Sequence, residues 1–294
     1  MTNILVTGAN GQVGSELQFL ARNHSDWQFQ FTDHTQLDIT DEQAVRTYFA
    51  KNKVDYCINC AAYTAVDKAE SEPDRAEAIN VQGVVHLAKA CQQHDAQLLH
   101  ISTDYVYDNA INRPLREDDP TDPKSVYART KLAGDLEALQ HNERSIVLRT
   151  SWVYSSFGHN FVKTMIRLGK ERDQLGIVFD QIGTPTYARS LADAILHVIS
   201  QLSIEKSTMQ RGVFHYSNEG VCSWYDFASA IFELKKIDVN VLPILSKAYP
   251  TPAARPTFSV LDKSKIKEVF GVDIPHWRAD LKACLEALLS PVES

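Results

Sequence analysis

A short apolar run near the start of the chain leads directly into three regularly spaced glycines. Residues 4–7 read ILVT, and Gly8, Gly11 and Gly14 follow at the start of an amphipathic stretch. Glycines between a strand and a helix let the backbone approach a pyrophosphate, whose charge is met by free N–H groups at the helix N-terminus. The spacing is G-x-x-G-x-x-G rather than G-x-G-x-x-G, and an ordinary strand-to-helix turn is the competing interpretation. The order of strand, loop and helix favours a dinucleotide-binding loop.

Apolar runs alternate with amphipathic stretches through the first half of the chain. Strands separated by helices pair in parallel, so this pattern predicts an α/β fold with a Rossmann-type, doubly wound parallel sheet. The predicted strands are ILVT (4–7), FQFTD (29–33), YCINCAA (56–62), LLHIST (98–103) and SIVLRTS (145–151).

The alternation becomes less regular in the second half of the chain. We therefore predict a dinucleotide-binding domain over residues 1–150, and we expect residues 174–205 to rejoin the sheet of this domain. Residues 151–173 and 206–294 should form a smaller C-terminal substrate-binding lobe. A ligand site is then expected in the cleft between the two parts.

Composition limits the classes of protein to which the chain can belong. Its 294 residues include 30 Lys and Arg against 37 Asp and Glu, a net charge of −7, and 44% are hydrophobic. A primary nucleic-acid binder is disfavoured, because phosphate contacts need a basic face. No apolar run approaches the ~18 residues of a spanning helix, and no export signal opens the sequence. With an odd number of cysteines, five, we expect a cytoplasmic protein without a membrane partner.

Two acidic residues follow the second predicted strand. Asp33 ends that strand, 19 residues after Gly14, where a carboxylate can accept a hydrogen bond from an adenosine ribose hydroxyl. The position favours NADH over NADPH, because a carboxylate repels a 2′-phosphate. Asp38 lies in the loop that follows, and contact with the adenine and a role in a turn or helix start are equally good interpretations.

Tyr127 and Lys131 stand four residues apart in a predicted helix and therefore share one face of it. An ammonium beside a phenol stabilises the phenolate, so we expect the tyrosine pKa to fall from about 10 towards neutral pH. Such a tyrosine can exchange a proton with a carbonyl oxygen. The same spacing is common on solvated helix surfaces, and the pair gains weight from the glycine loop upstream.

Polar side chains also end the fourth predicted strand. Ser102, Thr103 and Asp104 lie at its carboxyl end, the edge at which open α/β sheets bind ligands. A hydroxyl there can hydrogen-bond the substrate oxygen that Tyr127 protonates. A cap on a turn is the other interpretation of such residues.

These features together resemble the extended short-chain dehydrogenase/reductase superfamily and, within it, the dTDP-4-dehydrorhamnose reductase family. The resemblance implies hydride transfer from NADPH or NADH to the C4 ketone of dTDP-4-dehydro-β-L-rhamnose, the last step of dTDP-L-rhamnose synthesis. Similar blocks run in order along nearly the whole chain: AAYTAVDKAESEP (61–73), ISTDYVY (101–107), VYARTKLAGD (126–135), LRTSWVY (148–154), DQIGTPT (180–186) and YPTPAARP (249–256).

The resemblance also implies individual roles. Tyr127 would donate the proton, Lys131 would hold the nicotinamide ribose and lower the tyrosine pKa, and Thr103 would orient the ketone. Thr103 and Asp104 would contact the sugar nucleotide, with Trp152 as an apolar wall or as ordinary core packing. By the family pattern, the dinucleotide contacts are Gly11, Gln12 and Val13 at the pyrophosphate, Asp33, Asp38 and Ile39 at the adenosine end, and Ala62, Tyr63 and Thr64 after the third strand.

One departure from the family concerns metal binding. Some relatives carry a Mg²⁺ between glutamates at a dimer contact, and Glu16 matches one of these positions. Arg189 stands where a second glutamate would be expected. Because a guanidinium repels a cation, we predict no metal site. Cys57 and Cys60 form a C-x-x-C in an apolar strand, where core packing is favoured over a redox or zinc site.

Several alternatives remain on this scaffold. A 4,6-dehydratase is disfavoured because Tyr105 stands where those enzymes carry a glutamate. A 4-epimerase is excluded less cleanly, and a reductase making 6-deoxy-L-talose would differ only in how the sugar is held. A non-catalytic dinucleotide-binding subunit, similar to the regulatory β subunit of methionine adenosyltransferase, is the other class. The sequence leaves open whether the chain is a monomer or a homodimer.

Overall fold

The computed structural model describes residues 1–107, 112–204 and 210–289. Its strands are β1 (Thr2–Thr7), β2 (Trp27–Thr32), β3 (Tyr56–Asn59), β4 (Gln97–Thr103), β5 (Ser145–Thr150), β6 (Val153–Tyr154), β7 (Gln174–Val178), β8 (Ile182–Gly183), β9 (Thr186–Tyr187), β10 (Gly212–His215), β11 (Cys222–Ser223) and β12 (Asn240–Ile244). Its α-helices are α1 (Gln12–Ala21), α2 (Glu42–Lys51), α3 (Val66–Ala69), α4 (Pro73–Glu77), α5 (Gly83–Gln93), α6 (Val126–His141), α7 (Phe161–Glu171), α8 (Ala188–Ile204), α9 (Trp224–Lys235), α10 (Ser264–Phe270) and α11 (Trp277–Ala287). A π-helical turn spans Ala78–Gln82, and 3₁₀ turns span Asp104–Val106 and Ser246–Ala248.

A parallel sheet in the order β2-β1-β3-β4-β5-β10 forms the centre of the described residues. Helices α1 and α8 cover one face, where they pack on each other, and α2, α5 and α6 cover the other. A sheet covered on both faces needs strands that are apolar throughout, which explains the continuous runs in the sequence. The fold is therefore the Rossmann-type, doubly wound sheet that the sequence predicts.

The strand order reverses between β1 and β3. In such sheets the crossover connections leave a crevice at the carboxyl ends of the strands, and ligands bind at this switch point. The glycine loop follows β1 there, and the segments that follow β3 and β4 reach the same edge. The topology thus gathers sequence motifs that lie up to about a hundred residues apart.

A second unit of short strand pairs and helices is attached to this sheet. β6 pairs with β9, β7 with β12 and β8 with β11, and α7, α9 and α11 pack around them. The core of this lobe is rich in aromatic rings, with Phe227 contacting the rings of Tyr154, Phe161 and Trp277. No helix within the described ranges is both long enough and apolar enough to cross a membrane.

The structure corrects one part of the predicted domain division. Within the described part of this range, residues 174–204, α8 packs on the central sheet, whereas β7 pairs with β12 in the lobe. β7 buries only alternate side chains, Leu175 and Ile177, as suits a sheet covered on one face. The strand that joins the sheet is β10, from the range assigned to the lobe, because it follows α8 as the next strand of a βαβ unit.

Candidate active site

The glycine loop is shaped by close backbone contacts. Gly8 has φ +65°, and a Cβ there would lie 2.6 Å from the backbone N of Ala61. A Cβ on Gly14 would lie 2.5 Å from the Gly8 carbonyl oxygen. α1 begins after Gly11 without a side-chain cap and without an acidic residue in its first turn. Its N–H groups and positive end of the helix dipole therefore suit a pyrophosphate.

The side chain of Gln12 connects this loop to the lobe. The Gln12 amide donates to the Val153 carbonyl at 3.3 Å and accepts from Asn160 Nδ2 at 3.0 Å. Val13, the next residue, is buried against the sheet core. Of this pair, Gln12 thus fixes the loop against the second unit, while Val13 contributes packing and a backbone N–H.

Asp33 lies at the carboxyl end of β2, half-buried beside the glycine loop. Its Oδ2 accepts from Asn10 Nδ2 at 2.8 Å, and its Oδ1 accepts from the Thr35 backbone N–H at 2.8 Å and the Thr35 hydroxyl at 2.6 Å. These hydrogen bonds, those of Thr35 foremost, lower the pKa of Asp33. The carboxylate is therefore charged and oriented at neutral pH.

Asp38 and Ile39 have different surroundings. Asp38 is exposed, and its Oδ1 accepts from both the backbone N–H and the hydroxyl of Thr40, at 2.9 and 2.7 Å. The turn interpretation of Asp38 is thus seen directly in the structure. Ile39 is buried with its side chain against Gly83, and His86 Nδ1 lies 2.9 Å from its carbonyl oxygen.

The segment after β3 presents backbone and small side chains to the crevice. Asn80 fixes Tyr63 by accepting from its N–H at 2.8 Å and donating to its carbonyl at 3.2 Å, and the Tyr63 hydroxyl donates to Glu72 at 2.8 Å. Tyr63 is therefore fully engaged. Ala62, half-buried, and Thr64, exposed, remain available to a ligand.

Thr103 and Asp104 are buried where β4 ends. The Thr103 hydroxyl lies 3.2 Å from Asp104 Oδ1 and accepts from the Tyr105 backbone N–H at 3.2 Å. Burial raises the pKa of Asp104 to about 7, opposed by hydrogen bonds from Ser259 and Thr103. The Asp104 carboxyl can therefore be present in either protonation state near neutral pH.

Tyr127 lies in the first turn of α6, after Ser125, whose side chain caps the helix by accepting from the Ala128 N–H. The Tyr127 ring meets Tyr105 edge-on, with 5.8 Å between ring centroids. Burial raises the Tyr127 pKa to about 12, and a hydrogen bond from Thr103 opposes the rise. The expected fall of this pKa is thus wrong for this structure, because desolvation dominates and the Lys131 Nζ, which donates to the Ile101 carbonyl, does not offset it.

Lys131 lies one turn further along the same face of α6 and is 2% exposed. Its Nζ donates to the Ile101 carbonyl at 2.7 Å and lies 3.2 Å from His100 Nε2. Burial lowers the Lys131 pKa to about 8, while the Asp135 carboxylate raises it. The ammonium is therefore held beside β4 in a place where its charge is only moderately favoured.

Sequence reasoning missed the polar residues behind Lys131. Asp135 follows it by four residues on α6, and Arg149 on β5 donates from Nε to Asp135 Oδ2 at 3.0 Å. Arg149 also donates to the Tyr107 hydroxyl at 2.5 Å, and that hydroxyl lies 2.9 Å from His215 Nε2. The available signal was spacing, because positions 127, 131 and 135 repeat every four residues along one helix face.

Trp152 lies directly after β5, where the chain enters the lobe. Its ring stacks on Trp224 and packs against Gly183, where a Cβ would lie 2.7 Å from the ring. That same Cβ would lie 2.9 Å from the Ser259 hydroxyl, and Ser259 contacts Asp104. Ser259 thus lies near Gly183, on which the indole packs, and is hydrogen-bonded to Asp104 after β4; no sequence pattern marked this residue.

An ion pair also joins the lobe to the segment that follows β3. Arg255, in the proline-rich segment after β12, donates to both carboxylate oxygens of Asp67 at 3.0 and 2.7 Å. Asp67 also accepts from the Ala253 backbone N–H at 3.2 Å. Two of the sequence blocks that carry the family resemblance therefore meet here.

Glu16 and Arg189 form an ion pair at 2.8 Å, and Glu16 also accepts from Ser155 at 2.6 Å. Both carboxylate oxygens of Glu16 are therefore engaged by donors of this chain. Within the described residues, no group of three His, Cys, Asp or Glu side chains is arranged to bind a metal ion. Cys57 and Cys60 are free thiols, of which Cys57 is fully buried.

Comparison with known proteins gives one consistent family. Residues 1–290 match the family described as RmlD substrate binding domain. The dTDP-4-dehydrorhamnose reductase of Aggregatibacter actinomycetemcomitans is 40% identical over 288 residues, which cover 96% of this chain and 98% of that protein. A crystal structure of a dTDP-4-dehydrorhamnose reductase from Clostridium acetobutylicum has a TM-score of 0.93 at 42% identity, covering 98% of this chain and all of that one. The Bacillus anthracis enzyme in complex with NADP has a TM-score of 0.91 at 37% identity, with the same coverage.

Proposed function

The chain belongs to the RmlD substrate binding domain family, and from this premise we propose that it is a dTDP-4-dehydrorhamnose reductase that uses NADPH or NADH. The observation that carries the proposal is the convergence of Thr103, Tyr127 and Lys131 at the switch-point edge, beside an open helix N-terminus. This arrangement suits a dinucleotide and a ketone together.

The chain's own residues have distinct tasks in this reaction. When bound, NAD(P)H supplies the hydride that adds to C4 of the sugar. Tyr127 donates its phenolic proton to the C4 oxygen, and its raised pKa keeps it protonated at neutral pH before the step. The charge left on the phenolate is stabilised by the Lys131 ammonium, and Thr103 orients the ketone by donating a hydrogen bond.

The dinucleotide is proposed to lie along the crevice from β2 to β4. Its pyrophosphate meets the loop of Gly8, Gly11 and Gly14 with Gln12 and Val13, while Asp33 accepts from the adenosine ribose. The fit rests on the backbone contacts that exclude a Cβ at Gly8 and Gly14. Further contacts are proposed for Asp38, Ile39, Ala62 and Thr64, and for Tyr63 through its ring alone.

The lobe is proposed to hold the dTDP-sugar. Asp104, which is hydrogen-bonded to Ser259, and Trp152 contact the sugar, and the indole forms an apolar surface for the methyl group of a 6-deoxysugar. We expect the protein to work in the cytoplasm, where its cysteines stay reduced, without nucleic-acid or membrane partners, as a monomer or homodimer.

A product analysis tests this function. Purified protein is mixed with NADPH or NADH and dTDP-4-dehydro-L-rhamnose, coenzyme oxidation is followed by absorbance, and the sugar is identified by NMR. Formation of dTDP-L-rhamnose is expected. A dTDP-6-deoxy-L-talose product would correct the stereochemistry, and coenzyme binding without oxidation would favour a binding-only role.

A further inference from the structure

A group of buried side chains lies behind Lys131 and takes no direct part in the proposed reduction. His100, Asp135 and Arg149 are each at most 4% exposed. Nε2 of His100 lies 3.2 Å from Lys131 Nζ and 3.8 Å from Asp135 Oδ1. Arg149 orients the other oxygen of Asp135 through a 3.0 Å hydrogen bond. Charges in such a dry environment interact more strongly than charges in water.

Asn59 determines which nitrogen of His100 carries a proton. Its Oδ1 accepts from the Thr7 hydroxyl at 2.7 Å and from the Ala61 backbone N–H at 3.1 Å, so its Nδ2 faces His100 Nδ1 at 3.0 Å. Nδ1 therefore accepts. Burial, followed by the charge of Lys131, holds the pKa of His100 well below its usual value. A neutral His100 then carries its hydrogen on Nε2.

This tautomer directs an N–H dipole towards Lys131 and Asp135. A charged Lys131 has no lone pair, so it cannot accept from His100 Nε2. The Asp135 carboxylate, 3.8 Å from Nε2, then attracts this dipole over a distance too long for a direct hydrogen bond. A neutral Lys131 would instead accept from Nε2. Of the described groups around Lys131, the Asp135 carboxylate and the Ile101 carbonyl therefore favour the charged state of the lysine, and of these two only the carboxylate carries a charge.

Every other titratable group around Lys131 is neutral or positive within the described residues. Burial raises the pKa of the Tyr127 phenol and of the Cys60 thiol to about 12 each. The groups that face or approach Lys131 are Tyr127 and Asp135 from α6, His100 and the Ile101 carbonyl from β4, Cys60 after β3, and Arg149 from β5 through Asp135.

We propose that Asp135, anchored by Arg149, is a positioning residue that keeps Lys131 charged, with His100 as the neutral spacer between them. The part of this proposal that concerns catalysis by Lys131 rests on the proposed function. The contacts among Lys131, His100, Asp135 and Arg149 do not depend on it. Burial lowers the Lys131 pKa to about 8, and Asp135 opposes the fall. A nearby opposite charge shifts a pKa by about 1 unit or more, so removing the Asp135 carboxylate should lower the Lys131 pKa further by that amount.

The first test is the pH dependence of kcat/KM in Asp135→Asn, which keeps the shape and removes the charge. The apparent pKa of the alkaline limb should shift to lower pH by about 1 unit or more, and kcat/KM should approach the wild-type value at about pH 6. Asp280→Asn is the matched control, because Asp280 is also buried, at 7% exposure, and accepts from Asn218 at 2.5 Å in the lobe. Its alkaline limb should stay in place.

The second test needs neither substrate nor coenzyme. The pKa of Lys131 is about 8 in the folded protein, below its usual value. The unfolded chain therefore binds more protons at this group above about pH 8, and the free energy of unfolding increases as pH rises from there. In Asp135→Asn the gain begins at lower pH, so the destabilisation caused by the substitution should shrink between about pH 7 and 8. If that variant fails to fold, the double variant Asp135→Asn with Arg149→Met also removes the unpaired guanidinium. In this double variant the gain in stability should likewise begin at lower pH than in the wild type.

The outcomes separate this proposal from the proposed function. An unchanged alkaline limb, or a destabilisation that stays constant with pH, would overturn it and leave Asp135 with a packing role alone. If the wild-type protein does not reduce the ketone, the proposed function fails. The unfolding measurement then still decides whether Asp135 keeps Lys131 charged.

Discussion

Trp152 lies flat against Trp224, with 3.6 Å between ring centroids and 10° between ring planes. Trp152 has a left-handed backbone, φ +47°, a conformation that costs a bulky residue about 1–3 kcal/mol. Trp224 is the first residue of α9, whose start is fixed by reciprocal hydrogen bonds between Ser223 and Asp226. The stack therefore fixes the indole of a residue with a strained backbone where the two units of the chain meet.

Replacing Trp224 should weaken substrate binding through Trp152. Trp224→Leu removes the surface that fixes the indole plane, so the KM for the sugar nucleotide should rise about tenfold with a smaller change in kcat. Steady-state kinetics would measure this. Trp27→Leu, a half-buried tryptophan on the edge strand β2, is the control and should leave KM unchanged. An unaltered KM in Trp224→Leu would show that the stack does not position Trp152.

Asp33 should govern the coenzyme preference. Asp33→Ser removes the charge that repels a 2′-phosphate, so the ratio of kcat/KM for NADPH to that for NADH should increase about tenfold. Asp41→Ser is a matched control, because Asp41 is an exposed carboxylate that caps α2 and serine also caps helices. The control should keep the wild-type ratio. A ratio insensitive to Asp33→Ser would contradict the ribose contact.

The buried His215 predicts a loss of stability in acid. Its Nδ1 faces the Asp262 carbonyl at 3.1 Å and its Nε2 faces the Tyr107 hydroxyl, so it is neutral, and burial lowers its pKa to about 3. Because the unfolded chain binds the proton more tightly, the stability that this group gives is complete above about pH 6.5. It is lost as pH falls towards 3, by about 1.4 kcal/mol per unit.

Urea unfolding at several pH values measures this effect. His215→Asn should unfold more easily at pH 7 but lose less stability than the wild type between about pH 6 and 4, because one titrating group is gone. Parallel curves for the two proteins would show that His215 does not contribute to the acid dependence.

The Glu16–Arg189 pair predicts independence from magnesium. With the guanidinium on the carboxylate, added Mg²⁺ or EDTA should leave both the Tm and the rate of coenzyme oxidation unchanged. Glu16→Gln should lower the free energy of unfolding by about 1–3 kcal/mol, because it removes the charge that pairs with the partly exposed guanidinium of Arg189. A Tm that rises with millimolar Mg²⁺ would contradict the prediction of no metal site.

The parallel sheet was predictable because apolar runs form most of its strands and alternate with amphipathic stretches, and because the glycine loop marks the first strand-to-helix turn. The position of β7 was not, since an apolar run of five residues looks alike whether it pairs in the main sheet or in the lobe. What decided it was long-range pairing between Gln174–Val178 and Asn240–Ile244, which a local pattern does not contain.

For the site, spacing predicted that Tyr127 and Lys131 share a helix face, but it did not predict their electrostatics. The Tyr127 pKa rises because its surroundings desolvate the phenol although the residue is only half-buried, and this desolvation depends on packing by Tyr105 and the rest of the fold. Ser259 and Trp224 were missed because each contributes through a neighbour from a distant part of the chain.

Tyr127→Phe tests the proposed reduction most directly, because it keeps the edge-on packing against Tyr105 and removes only the proton donor. Turnover of dTDP-4-dehydro-L-rhamnose should fall by about 10²-fold or more, while the Kd for NADPH, measured by fluorescence titration, stays within about threefold of the wild type. Turnover equal to that of the wild type would contradict the assignment of Tyr127 as the proton donor.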